Sequence, residues 1–162
     1  VREDKHYRYV GPEELRGLVS AGVAVDTATV LREWLAGRDR AEPFTFVVAL
    51  DGRLRLAPRR SEHVALAGGR DVLAAGEMGF GAGWRVTEVT NQSTGYCPAP
   101  DCWDAVAGAL DRLGISHPGG FADTIVFRRC PACGERNIVR DGDFTCALCG
   151  GALPEQWNFA TG

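Results

Sequence analysis

Phe44-Thr45-Phe46-Val47-Val48-Ala49-Leu50-Asp51-Gly52-Arg53-Leu54-Arg55-Leu56 decides the fold. Phe44 to Leu50 is an apolar run rich in β-branched and aromatic residues, the composition of a buried strand. Asp51-Gly52 follows, and both residue types accept positive φ, so a two-residue hairpin is predicted there. Leu54 and Leu56 alternate with Arg53 and Arg55, which puts the leucines on a core face and the arginines on a wet face. Pro58 ends the second strand. An antiparallel hairpin at the centre of the chain calls for a sheet, with helices on either side of it in sequence.

Toward the N-terminus, Asp26 or Thr27 can cap a helix whose Val30, Leu31, Trp34 and Leu35 recur at helical spacing, with Gly37 at its stop. Earlier still, Pro12-Glu13-Glu14 reads as the start of another helix, carrying Leu15, Leu18 and Val19 and stopping at Gly22. Residues 1–10 read as an arm or first strand. Toward the C-terminus, Arg59 to Gly83 holds short apolar pieces between glycines and gives no clean period. Trp84 to Val89 alternates as a strand, and Asn91 to Pro100 reads as loop. Asp101 can cap a helix through Val106, Leu110 and Leu113, stopped by Gly114, and His117-Pro118-Gly119-Gly120 reads as a linker. The fold class expected is α+β: a small mixed domain over residues 1–120, with a hairpin-containing sheet and flanking helices, then a cysteine-bearing segment and C-terminal tail over 121–162, attached to that domain and packed against it.

That segment is the clearest motif in the chain. Cys130-Pro131-Ala132-Cys133-Gly134 is followed, after twelve intervening positions from Cys133, by Cys146-Ala147-Leu148-Cys149-Gly150. Two residues between paired cysteines turn both thiolates toward one ion, and the glycine after each pair relieves a tight knuckle. Ile125 and Phe127 read as a strand entering this segment. Asn137–Arg140 and Asp143–Thr145 read as two strands about Asp141-Gly142, returning the second pair to the first. The spacing is that of a four-cysteine zinc ribbon with Cys130, Cys133, Cys146 and Cys149 as ligands to one structural Zn2+. Iron is the lesser alternative for four thiolates. With every ligand supplied by protein, no open position is left for catalysis. The tail, with Trp157 and Phe159, is expected to pack back onto the body.

Composition bounds the function. A net charge of −3 in 162 residues disfavours a general nucleic-acid binder. No apolar run approaches the roughly 20 residues of a membrane span. The charged start, Val1-Arg2-Glu3-Asp4-Lys5-His6, is followed by no hydrophobic leader. A cytoplasmic location is expected, and in a reducing compartment six cysteines are ligands or free thiols rather than disulfides. One lysine, Lys5, stands against seventeen arginines, a bias that fits a GC-rich bacterial genome.

The other concentration of unusual residues is His63, Ala67-Gly68-Gly69, Ala74-Ala75-Gly76-Glu77 and Asn91-Gln92-Ser93-Thr94-Gly95-Tyr96-Cys97-Pro98. Over residues 44–113 this resembles a module in which His-Ser-Ser, Ala-Gly, Ala-Gly-Glu and Ser-Gly-His-Tyr-x-Pro recur. That module is associated with uncharacterised bacterial proteins, some toxin-linked, and with plant IQ-motif calmodulin-binding proteins. Val64-Ala65 stand where the module has Ser-Ser, and Thr94-Gly95 stand where it has Gly-His. The resemblance implies a shared fold; an activity that used the second histidine would be absent here. Read from chemistry alone, His63, Glu77, Ser93 and Tyr96 are candidate catalytic residues if they converge on a cleft, with Gly68, Gly69 and Asn91 as candidate ligand contacts. The alternative is that His63 and Glu77 anchor loops and the glycines serve turns. Cys97 and Cys102, with His6, His63 or His117, offer a second metal set, or are buried thiols.

The reading that follows is a non-enzymatic interaction module with a structural zinc and another protein as its partner. A small enzyme acting on a nucleotide-like ligand through His63, Glu77 and Tyr96 is one alternative. A nucleic-acid-binding regulator using the ribbon arginines Arg128, Arg129, Arg136 and Arg140 is another.

Overall fold

The computed structural model describes residues 5–159. The predicted arm begins outside them, and from Tyr7 it meets the sheet. Five strands form an antiparallel sheet in the order β1-β3-β2-β4-β5: β1 Val23–Val25, β2 Phe44–Ala49, β3 Leu54–Ala57, β4 Val72–Phe80 and β5 Val86–Thr90. Among the described residues three α-helices accompany it: α1 Ala28–Leu35, α2 His63–Leu66 and α3 Trp103–Leu113. A second sheet pairs β6 Val126–Arg129 with β7 Arg136–Val139. The chain is α+β, as the sequence indicates.

The central hairpin forms in the predicted register, Phe46 opposite Leu56 and Val48 opposite Leu54. Its turn differs. Gly52 N–H donates to the Ala49 carbonyl and Ala49 N–H to the Arg53 carbonyl. Gly52 alone has positive φ, +80°, which makes a three-residue loop ending in a glycine bulge. Asp51 instead uses its carboxylate, accepting from Arg53 N–H at 2.9 Å.

β4 fills the segment that had no clean period. Every residue of it except Glu77 is buried, so both of its faces are covered and no alternation marks it. Gly76 has a specific reason. A Cβ there would lie 1.9 Å from the Thr90 carbonyl oxygen, because the chain leaving β5 crosses directly over it. The outer side of β5 is covered by residues 116–123: Val86 N–H donates to the Ser116 carbonyl and Ala122 N–H to the Val89 carbonyl. The predicted linker therefore lies along an edge strand.

α1 starts where Thr27 Oγ1 accepts from Val30 N–H at 3.2 Å; Asp26 pairs with Arg53 instead. Its Trp34 packs edge-on against Phe44, and Phe44 against Phe80. α3 crosses β2, β3 and β4 and buries Val106, Ala109 and Leu110. Gly114 closes it at φ +69°, as predicted. Asp101 is no side-chain cap for it; that carboxylate accepts from Tyr7 Oη and pairs with Lys5. α2 lies over the Arg55 side of the sheet, where Arg55 Nη1 donates to the Leu66 carbonyl. Arg55 is thus part-covered rather than on a wet face.

The helix expected from Pro12 is a single 3-10 turn, Glu13–Leu15. Its anticipated apolar face is in solvent: Leu18 and Val19 are 47% and 96% exposed. Residues near its predicted stop become β1, which pairs with β3 through Val23–Leu56 and Val25–Leu54. Trp84 sits in a 3-10 turn at φ +63°, and the strand begins only at Val86.

Candidate functional site

Two knuckles of the same construction carry the four cysteines. In the first, Gly134 N–H donates to the Cys130 carbonyl at 2.8 Å and Cys130 N–H to the Glu135 carbonyl at 2.8 Å. In the second, Gly150 N–H donates to the Cys146 carbonyl at 3.0 Å and Cys146 N–H to the Gly151 carbonyl at 2.8 Å. Gly134 and Gly150 hold φ of +82° and +76°, the left-handed conformation such a turn requires. This is why a glycine follows each pair.

The strands supporting the knuckles differ from those predicted. β7 pairs with β6, upstream of the first cysteine, and not with residues 143–145. Arg140 and Asp143 form an isolated bridge about Asp141-Gly142, whose φ values are +53° and +70°. Here the dipeptide makes the two-residue hairpin turn that its composition favours.

The knuckles bring four sulfurs together. Cys130 Sγ lies 3.6 Å from Cys149 Sγ, and Cys133 Sγ lies 3.6 Å from Cys146 Sγ. All four sulfurs fall within 4.8 Å of one another. A metal–sulfur bond of about 2.3 Å in a tetrahedron gives edges of about 3.8 Å, so the cage fits a tetrahedral cation. Cys130 and Cys146 are buried, while Cys133 and Cys149 face out. Backbone N–H groups point inward: Leu148 N–H approaches Cys146 Sγ and Gly151 N–H approaches Cys149 Sγ, each at 3.4 Å.

The electrostatics of the four thiols show what a cation must supply. The Cys149 backbone amide draws Cys146 down to about 6. The amide of Cys133 lowers Cys130. Cys133 is drawn down by the Glu135 amide, yet desolvation and the neighbouring thiols push it up to about 12. Four thiolates in one cage repel, so the protein alone ionises only part of the set. A bound dication lets all four ionise. These sulfurs can hold a metal ion, and all of its ligands would be protein.

Asn137, which no motif marks, reaches both knuckles. It is buried in β7, and its Oδ1 accepts from Ala147 N–H at 2.9 Å. Its Nδ2 donates to the Glu135 carbonyl at 3.1 Å and to Cys146 Sγ at 3.4 Å. An asparagine three residues after a knuckle glycine carries no signal in sequence, because its partners come from both knuckles.

The other candidate residues, apart from the half-buried Glu77 in β4, are engaged within the fold. His63 Nε2 donates to the Gly76 carbonyl at 2.8 Å, which leaves the lone pair on Nδ1. Burial pushes its pKa down to about 4, against the Gly76 carbonyl that favours the charged form. No hydrogen bond or ion pair joins His63 to Glu77 among the described residues. Ser93 is buried and its Oγ accepts from Tyr96 N–H at 3.3 Å. Tyr96 is fully buried, its hydroxyl donates to the Arg70 carbonyl at 2.7 Å, and burial raises its pKa. Asn91 is fully buried; it accepts from Ile125 N–H and donates to the carbonyls of Ile125 and Pro98. Gly68 and Gly69, at φ +65° and +77°, terminate α2, and the Gly69 carbonyl accepts from Arg16.

Cys97 and Cys102 are buried free thiols, and desolvation pushes both up to about 12. His117 bonds to Asp111 and the Pro118 carbonyl. Among the described residues the four ribbon cysteines are the group of histidine, cysteine or carboxylate donors placed to share a metal. Three of the four arginines of this segment have backbone partners as well. Arg128 is buried and donates to the carbonyls of Phe127, Pro154 and Glu155. Arg129 donates to the Gly134 carbonyl and Arg136 to the Thr94 carbonyl.

The tail packs back as predicted. Trp157 Nε1 donates to the Cys97 carbonyl at 2.8 Å, and its ring meets Tyr7 edge-on. Phe159 joins Cys97, Ile125 and Phe127 in a small core between the two sheets. No helix among the described residues is long and apolar enough to cross a membrane. No family model, curated protein or solved structure matches the chain.

Proposed function

We propose that the chain is a non-enzymatic interaction module in which one zinc ion is structural, and that its partner is another protein. The convergence of four cysteine sulfurs within 4.8 Å carries this reading. Zinc suits four thiolates in a closed tetrahedral set, and such a site contributes folding energy rather than a reaction centre. The metal holds both knuckles, and β6 continues from them to the core shared by Phe127, Cys97 and Phe159.

Two observations support a protein partner over a nucleic acid. Arg128 is buried on backbone carbonyls of the chain itself, and Arg129 and Arg136 each donate to one, which leaves fewer of the segment's guanidinium donors free for phosphate contacts. At the tip of the second knuckle, Leu148 is 68% exposed, an apolar side chain available for protein contact.

Elemental analysis of protein purified without added metal tests the centre, with one zinc per chain expected. Absence of zinc, or one iron with thiolate-to-iron absorption, overturns the metal assignment. Fluorescence anisotropy with single- and double-stranded oligonucleotides at low salt tests the partner class. No binding is expected; salt-sensitive binding lost on Arg140→Ala restores the regulator reading.

A further inference from the structure

We propose that Asn137 is the positioning residue of the metal centre, a single carboxamide that registers one knuckle on the other and orients Cys146. The inference rests on the reading of the four cysteines as a metal site.

The two knuckles come from segments thirteen residues apart at their nearest cysteines, Cys133 and Cys146. Each is internally closed by its own backbone bonds, so those bonds do not fix one knuckle against the other. Asn137 does. Its Nδ2 donates to the Glu135 carbonyl, which also accepts from Cys130 N–H in the first knuckle. Its Oδ1 accepts from Ala147 N–H, between the ligands of the second knuckle. The same Nδ2 lies 3.4 Å from Cys146 Sγ. Donor and acceptor on one rigid amide therefore span both halves of the cage and touch a ligand sulfur.

The position is buried, which matters for the energetics. A carboxamide away from water holds its partners in one arrangement, and an N–H aimed at a thiolate sulfur disperses its negative charge. β7 fixes the side chain from behind, because Asn137 pairs with Arg128 in the β6–β7 ladder. Alanine at this position leaves the four sulfurs in place and strips the register between the knuckles. Aspartate keeps an acceptor for Ala147 N–H but has no N–H for Glu135 or the sulfur, and it adds a charge beside a thiolate.

The experiment compares the full chain with Asn137→Ala, Asn137→Asp and the control Asn158→Ala. Asn158 brackets the Arg129 backbone through Oδ1 and Nδ2 and reaches no sulfur, so it reports a purely structural carboxamide in the same region. Zinc affinity is read by competition with a chromophoric chelator, and the site's geometry by the absorption of Co2+ bound in its place. Asn137→Ala is expected to weaken zinc by about 10- to 100-fold. Asn137→Asp should weaken it at least as much. Both should shift the ligand-field bands of bound Co2+, while Asn158→Ala leaves bands and affinity at their wild-type values. Wild-type affinity and an unchanged Co2+ spectrum in Asn137→Ala overturn the proposal. Equal loss of affinity in Asn158→Ala, with unchanged bands in all variants, also overturns it, because the side chain then acts only on folding. Failure of the wild-type chain to bind zinc or Co2+ overturns the metal reading itself, a separate outcome.

Discussion

Phe46, Leu56, Leu110 and Tyr96 are wholly buried in the body of the protein, in one continuous apolar cluster that includes residues from all five strands of its sheet. Around the four cysteines the buried residues are Cys130, Cys146 and Leu153, with Val139 and Phe144 half-buried against them. The first region excludes water with side chains. The second has few of them and, in their place, four sulfurs close enough to share a cation. Between the two lies a small core of Cys97, Ile125, Phe127 and Phe159, which belongs to the body in its chemistry and to the ribbon in its sequence. The border between the two sets of side-chain contacts therefore runs along β6.

Metal removal should break the two regions apart most strongly. A structural zinc, if that is what the four sulfurs hold, would contribute about 10–16 kcal/mol to the folding of its segment. Chelation, or Cys146→Ser, should abolish amide protection over residues 130–153 while β2 and β4 keep theirs in hydrogen exchange. Protection retained in the knuckles without metal would show that side-chain packing suffices there.

The body should fail for the opposite reason. Gly76→Ala drives a methyl group into the Thr90 backbone, an overpacking that a rigid strand crossing cannot relieve. A loss on the order of 3 kcal/mol is expected in denaturant unfolding, with the zinc stoichiometry unchanged. A neutral result would mean that the crossing chain yields.

Acid sharpens the comparison. His63 has a folded pKa of about 4, below the 6.5 of a free imidazole. Between those values the unfolded chain binds the proton and the folded one does not, so stability falls as pH drops from 6.5 toward 4. His117 works the other way: the Pro118 carbonyl and Asp111 raise its pKa, and its contribution fades as pH rises through the raised value. His63→Gln should flatten the acid limb by on the order of 2 kcal/mol of the body's unfolding free energy, measured against wild type at each pH. An unchanged slope would place His63 in water.

The smallest effect is expected at the tail. Trp157→Phe removes the donor to the Cys97 carbonyl and should cost about 1 kcal/mol, read as a lower melting temperature of the small core between the sheets. No change would mean that the tail's apolar contact is sufficient alone.

What was legible in the sequence follows the range over which its determinants act. The knuckles, α1, α3 and the β2–β3 hairpin are local, and their caps, glycines and periods sit within a few residues. Even so, Asp51-Gly52 and Asp141-Gly142 make different turns. The first closes as a bulged three-residue loop in which the aspartate carboxylate holds Arg53 N–H, and the second as a two-residue turn with both φ positive. β4 was illegible because burial on both faces erases alternation, and because Gly76 answers to a chain segment fourteen residues later. Residues 12–22 have helical spacing, but no surface lies opposite to bury Leu18 and Val19, so the period is not realised. The unusual residues His63, Ser93, Tyr96 and Asn91 stand out in composition, yet their partners are backbone groups that sequence does not disclose.

Asn91 has a consequence for how the chain can be rearranged. Its carboxamide donates to the Pro98 carbonyl on one side, and on the other donates to the Ile125 carbonyl and accepts from the Ile125 N–H, so the chain departs and returns at a single point. Everything from 99 to 124, α3 included, is a closed excursion whose ends are fixed independently of its contour. Gly119 and Gly120 have open space around them. Lengthening a flexible loop there changes closure entropy by only about 0.6 kcal/mol per doubling. A tag or a small guest domain spliced between those glycines should leave both the sheet and the thiolate cage in register, which makes this outer turn the natural place to attach a reporter.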